Sequence, residues 1–94
     1  MNQKGSRTIL SITIEQLRAA RALVGWSQTQ LAERAEMSLP TVKRVEAGNG
    51  PRVSEEARLK LQQALECGGV EFIDENGGGP GVRLRKRQRS KQPK

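Results

Sequence analysis

Apolar residues recur along this chain at helical spacing in four consecutive stretches, after which the period changes. Leu17, Ala20 and Val24 recur three and four apart while Glu15, Arg18 and Ala22 fall on other faces, which predicts a helix over Ile14–Val24. Thr13 stands just before it with Gln16 three residues later, a capping-box pattern, and Gly25 is placed to stop it. Ser27 and Gln30 repeat that pattern ahead of a second helix, whose apolar face is Leu31, Ala32 and Ala35 and which ends near Ala35 or Glu36. Ser38 can cap a third helix over residues 39–47. Pro40 sits in its first turn, where a missing N–H costs nothing, Val42 and Val45 face inward, and Gly48 ends it. The run Gly48-Asn49-Gly50-Pro51 reads as a turn. Ser54 then caps a fourth helix with Glu55 and Glu56 at the positive end of its dipole. Leu59, Leu61, Ala64 and Leu65 are its apolar positions, and Gly68-Gly69 stops it.

Beyond Gly69 the residues cluster or alternate as in strands. Val70-Glu71-Phe72-Ile73 and Val82-Arg83-Leu84-Arg85 flank the Gly-rich run from Asp74 to Gly81, which predicts a β-hairpin with an unusually long connection. At the other end, residues 1–8 are polar and expected to be loose, while Ile9-Leu10-Ser11-Ile12 is either a strand or a lead-in that packs on the body. A length of 94 residues allows one small domain. The expected organisation is an N-terminal arm over 1–12, a helical domain over 13–68, a hairpin over 69–85 and a disordered basic tail over 86–94. The fold class is mainly α, four helices followed by a short β-hairpin. There are no internal repeats.

The charge distribution changes the picture. The chain has 17 Lys and Arg against 10 Asp and Glu, a formal charge of +7. Within residues 1–82 ten bases balance ten acids, so the whole excess lies in the seven bases of residues 83–94. Such a balance points to nucleic acid or an anionic membrane as a partner, but it does not make the folded body a basic surface. No apolar run approaches the roughly 20 residues of a membrane span. The first residues lack the longer apolar core of a secretion signal, so none is expected.

Several chemistries are excluded or disfavoured by composition. With no His there is no His-based triad and no His metal ligand. A single cysteine, Cys67, allows no internal disulfide and no paired-cysteine zinc site, and it fits a reducing compartment. Cys67 reads as a partly buried small hydrophobe near a helix end. Trp26 and Phe72 are the only aromatics, too few for a surface that stacks single-stranded bases. Trp26 reads as a core residue or a plug at a helix junction. The Gly-rich run 77–81 is not a phosphate loop, because no Gly-Lys-Ser/Thr follows it. The expectation is a protein that is not an enzyme, with no catalytic residues, metal, cofactor or small-molecule substrate.

Two short helices over 28–36 and 39–47, joined by about three residues and with small Ala32 where they cross, describe a helix-turn-helix. In that motif the second helix enters the DNA major groove and the first lies across the backbone. Residues 14–66 resemble the Cro/C1-type helix-turn-helix family of phage repressors, the XRE family. The matching residues are Gln28, Leu31, Ala32, Ala35, Ser38, Thr41, Val42, Val45, Glu46 and Gly48, at the family's spacing.

The resemblance implies a lambda-repressor-like fold and assigns roles to particular residues. Leu39, Pro40, Lys43 and Arg44, opposite Val42 and Val45, are candidate base contacts. Lys43 and Arg44 can donate to guanine O6 and N7. The chain departs from the family at Leu39 and Pro40, where polar residues are common; these two cannot hydrogen-bond base edges, and either pack on a thymine methyl or simply start the helix. Gln28, Ser38, Thr41, Asn49 and Arg52 are candidate phosphate contacts, helped by backbone amides at the helix starts. Arg21 and Glu46 match the family's partly buried ion pair, which fixes the third helix to the first.

A lone hairpin is marginal in water, and palindromic sites are read by two-fold dimers. Phe72, Ile73, Val82 and Leu84 are therefore candidate dimerisation residues, the alternative being that they pack on their own chain. The resemblance implies a regulator of transcription that binds double-stranded DNA, a homodimeric repressor on a palindromic operator in the bacterial cytoplasm and nucleoid. Alternatives are an antitoxin that represses its own operon and binds a protein partner, or a recombination or architectural DNA-binding factor.

Overall fold

The structure is a computed structural model that describes residues 12–48, 55–75 and 77–85. Its elements are α1 (Ile14–Val24), α2 (Gln28–Ala35), α3 (Leu39–Ala47), α4 (Glu55–Cys67), β1 (Val70–Ile73) and β2 (Gly81–Leu84). Residues 1–11, the expected cap Ser54 and the tail 86–94 lie outside the described residues.

The helix starts follow local chemistry. Thr13 and Gln16 form a reciprocal capping box, and so do Ser27 and Gln30. Ser38 accepts from the Thr41 amide at the start of α3. Gly25 and Gly48 end α1 and α3 in the left-handed region, with φ of 74° and 71°. α2 ends differently. Glu36 adopts φ 57°, the one non-glycine with positive φ among the described residues. Its amide bonds the carbonyls of Ala32 and Glu33, so the turn into α3 is closed by backbone geometry that a glycine would adopt with less strain.

The core gathers Leu17 and Ala20 of α1, Leu31, Ala32 and Ala35 of α2, Val42 and Val45 of α3, Leu61 and Leu65 of α4, and Val70 and Phe72 of β1. Ile12 joins them at 1% exposure, so the last residue of the expected arm belongs to the packed body. Its carbonyl accepts from Arg58 of α4 at 2.8 Å.

Trp26 plugs the junction of α1, α2 and α4. Its ring lies so close to Gly68 that a Cβ there would stand 2.6 Å from the ring. The Arg34 guanidinium covers the ring at 4.6 Å from its centroid, a cation–π contact.

β1 and β2 pair antiparallel, with Val70 opposite Leu84 and Phe72 opposite Val82. The second strand begins at Gly81, one residue earlier than its apolar pattern suggests. The period of two puts Val70, Phe72, Val82 and Leu84 on one face, which lies against α1 and α4. Phe72 is buried in the chain's own core, and Val82 and Ile73 are half-buried. The partner that a marginal hairpin requires is thus supplied within the chain for Phe72 and Val82, and only Leu84 remains largely exposed, at 51%. Gln16 ties the hairpin down. While its Oε1 accepts from Thr13 in the capping box, its Nε2 donates to the carbonyls of Gly81 at 3.0 Å and Ile73 at 3.3 Å.

Candidate nucleic-acid interface

α2 and α3 are eight and nine residues long and are joined by Glu36, Met37 and Ser38. Ala32 and Val42 are buried between these helices and the rest of the core, where small side chains let the two helices cross closely. The Met37 amide donates to the Ala32 carbonyl at 2.9 Å and draws the turn tight. This packing leaves one face of α3 in solvent. Pro40, Lys43 and Arg44 are exposed, as is Ala47. They lie at i, i+3, i+4 and i+7 and form a single stripe opposite Val42, Val45 and Glu46. Among the described residues neither Lys43 nor Arg44 has an ion-pair partner. Leu39 is half-buried on the flank of the helix, as is Thr41. The Thr41 hydroxyl bonds the Ser38 hydroxyl at 2.8 Å. Of the residues expected to face the groove, Pro40, Lys43 and Arg44 therefore point outward together, while Leu39 is turned partly towards the body.

The inner side of α3 is held by a polar cluster around Glu46. Its carboxylate, 4% exposed, accepts from Arg21 Nε at 2.7 Å and from Arg21 Nη2 at 3.0 Å, a bidentate ion pair. Arg21 also donates from Nη1 to the Trp26 carbonyl, which ties the pair to the start of α2. Gln28, the first residue of α2, donates from Nε2 to Glu46 Oε1 at 3.0 Å. Arg18, one turn before Arg21 on α1, donates to the Glu46 carbonyl at 3.2 Å. The side chain and main chain of one residue in the last turn of α3 are thus fixed from α1 and α2 together. Each bond limits rotation of α3 about its axis, and so fixes which side chains face outward. Gln28 keeps a second amide hydrogen for an outside acceptor. Arg18 is the contributor that periodicity missed, since it falls on the exposed face of α1. Its spacing of three from Arg21 is the only sequence signal for it.

Of the expected phosphate contacts, Gln28, Ser38 and Thr41 are at the starts of α2 and α3, where backbone N–H groups add positive potential. Asn49 and Arg52 lie outside the described residues. On the far side of the hairpin, Glu71 and Arg83 pair at 3.1 Å. The Arg83 guanidinium, hydrogen-bonded to Glu71, holds its carboxyl below the ordinary carboxylate range. Among the described residues there is no cluster of three or more His, Cys, Asp or Glu suited to a metal, and no helix is long and apolar enough to cross a membrane.

Comparison with known proteins agrees with this geometry. No curated protein matches the chain significantly. A family model described as a helix-turn-helix domain matches residues 12–72, which span Ile12 in the core, all four helices and most of β1. With about two thirds of its length matched, and with α2 and α3 carrying the Cro-like motif residues, the chain belongs to the helix-turn-helix domain family of DNA-binding regulators.

Proposed function

We propose that this protein binds double-stranded DNA sequence-specifically through α3, and that it represses transcription by occupying its site as a homodimer. The observation that carries this reading is the two-sidedness of α3. One face offers two cations in solvent that have no ion-pair partner among the described residues, while the other is fixed to α1 and α2 through Glu46. A helix meant only to fill a core has no need of such a rigidly held charged face. The first helix of the motif then lies across the backbone, with Gln28 and the α2 amides towards a phosphate.

A dimer is supported by a surface that the described residues leave uncovered. Leu23 and Leu84 are the exposed large hydrophobics among the described residues, at 42% and 51%. Both line one groove of about 480 Å³, together with Val24, Trp26, Gly68, Gly69 and Arg85. No described strand pairs with the outer edge of β2, whose last residue, Leu84, lines that groove. A second copy seated there would cover both leucines. Two-fold symmetry would then present two α3 helices to half-sites one helical turn, about 34 Å, apart or a multiple of it. The bases of residues 86–94 would add phosphate contacts that raise affinity without choosing sequence.

The test is footprinting with the full chain on the DNA upstream of its own gene, alongside sedimentation. A protected inverted repeat bound by two chains is the expected result. Duplex DNA left unprotected at low salt, where electrostatic attraction is strongest, would remove the proposal.

A further inference from the structure

The outward stripe of α3 is restricted in what it can offer to a base edge. Lys43 and Arg44 bring cationic N–H donors, and Pro40 and Ala47 bring apolar surface. The helix contains no Asn or Gln. Its only carboxylate, Glu46, is buried and occupied by Arg21 and Gln28. The neutral hydroxyls nearest the stripe, Ser38 and Thr41, bond one another. The stripe itself, Pro40, Lys43, Arg44 and Ala47, therefore presents donors and apolar contacts, with no acceptor and no amide.

The bases differ in what they ask of such a face. In the major groove guanine shows two acceptors, N7 and O6, which suit a cation. Adenine shows an acceptor beside a donor, which suits an amide. Cytosine shows a donor, which needs an acceptor, and thymine adds a C5-methyl group. We infer that α3 reads a strand bearing guanine and thymine, with Arg44 and Lys43 on guanine N7 and O6 and Pro40 on a thymine methyl. This rests on the DNA-binding role proposed above and names the half-site that the role requires. Pro40 is in the first turn, the end of a recognition helix that enters the groove. The cations follow three and four residues later, about 5 Å along the axis. With base pairs about 3.4 Å apart, the thymine and guanine lie within about two base pairs of each other. Pro40, which cannot form a hydrogen bond from its side chain or backbone nitrogen, becomes a specificity residue by packing alone.

The experiment selects sites for the full chain from a random duplex library. The recovered half-site is then remade with changes to single groups. Deoxyuridine in place of thymidine removes only the methyl, and 7-deazaguanine or 7-deazaadenine removes only the N7 acceptor. Loss of one methyl contact should weaken binding about fourfold. Loss of the guanine acceptor should weaken it at least about fivefold. The adenine change should alter it by less than about twofold, since the described residues of the stripe offer no amide to that edge. Pro40→Ser should erase the uracil penalty and keep the deazaguanine penalty. The DNA-side changes leave the protein untouched, so the test does not depend on how that variant folds. A deazaadenine penalty as large as the deazaguanine penalty, or the absence of a uracil penalty, overturns the inference. So does duplex binding with no recovered sequence preference, a result that leaves general DNA binding standing. Failure to bind any duplex is distinguishable, because it removes the proposed function itself.

Discussion

Replacing Glu46 with Ala is the perturbation that probes most of this structure at once. The carboxylate is 4% exposed and accepts three hydrogen bonds, two from Arg21 and one from Gln28. Truncation leaves the Arg21 guanidinium without its anion and leaves the Gln28 amide with a donor unmet. Breaking a buried pair by removing one partner costs about 3–5 kcal/mol. Arg21 is 24% exposed, so water can solvate part of the stranded charge, and the lower end, about 3 kcal/mol, is expected. For a domain of this size that corresponds to a fall in melting temperature of roughly 12–24 °C. Thermal and urea unfolding followed by circular dichroism measure it. The double variant Arg21→Met with Glu46→Leu removes both charges and refills the space, so it should regain most of the loss. DNA affinity, measured well below the melting point of each variant, should fall for Glu46→Ala even where the protein is folded, because α3 loses the bonds that set its rotation. A stability change under about 0.5 kcal/mol would refute the buried pair. A large stability loss with unchanged affinity in the folded state would refute the claim that the pair orients the helix.

Other outcomes follow from the same packing. Gly68→Ala must displace the Trp26 ring, and should cost about 1–3 kcal/mol with a shift in tryptophan fluorescence; an unshifted, equally stable variant would contradict the close approach. Glu36→Gly relieves a left-handed non-glycine and should stabilise the fold by about 0.5–1 kcal/mol in chemical denaturation, whereas destabilisation would mean that the Glu36 side chain contributes more than its backbone strain takes away. Glu71 should titrate below the exposed glutamates in an NMR pH series and return to the ordinary range in Arg83→Ala. Because its folded-state pKa is lowered, the pair's contribution to the hairpin is present above the ordinary carboxylate value and is lost as the pH falls through the lowered one.

The helices were legible in the sequence because their signals are local. The caps Thr13 with Gln16, Ser27 with Gln30, and Ser38 operate within three residues, and Leu17, Ala20, Val42 and Val45 mark the inner faces by period alone. The Arg21–Glu46 pairing came with the family resemblance rather than from spacing. What the sequence concealed is long-range. Nothing about a capping Gln16 reveals that its spare N–H groups will close a hairpin 57 and 65 residues away. Arg18 looks like a solvated residue until α3 is laid against α1. The turn at Glu36 has no glycine to announce its left-handed geometry. The hairpin needed an apolar surface to lie on, and the pattern of Phe72 and Val82 could not distinguish a second chain from the helices already present. Leu39 and Thr41 each stand one residue, about 100° of helix rotation, from Pro40, so the period itself places both on the flanks of the outward stripe, where they are half-buried.

The proposed function stands or falls with Lys43 and Arg44 as a rigidly presented DNA-reading face. The most direct test is the affinity of the full chain for its selected duplex, compared with a Lys43→Ala, Arg44→Ala variant at matched salt. Both side chains are exposed and unpaired among the described residues, so the variant should melt at the parent's temperature while binding at least about thirtyfold more weakly. A folded variant that binds the same duplex as tightly as the parent would contradict the account.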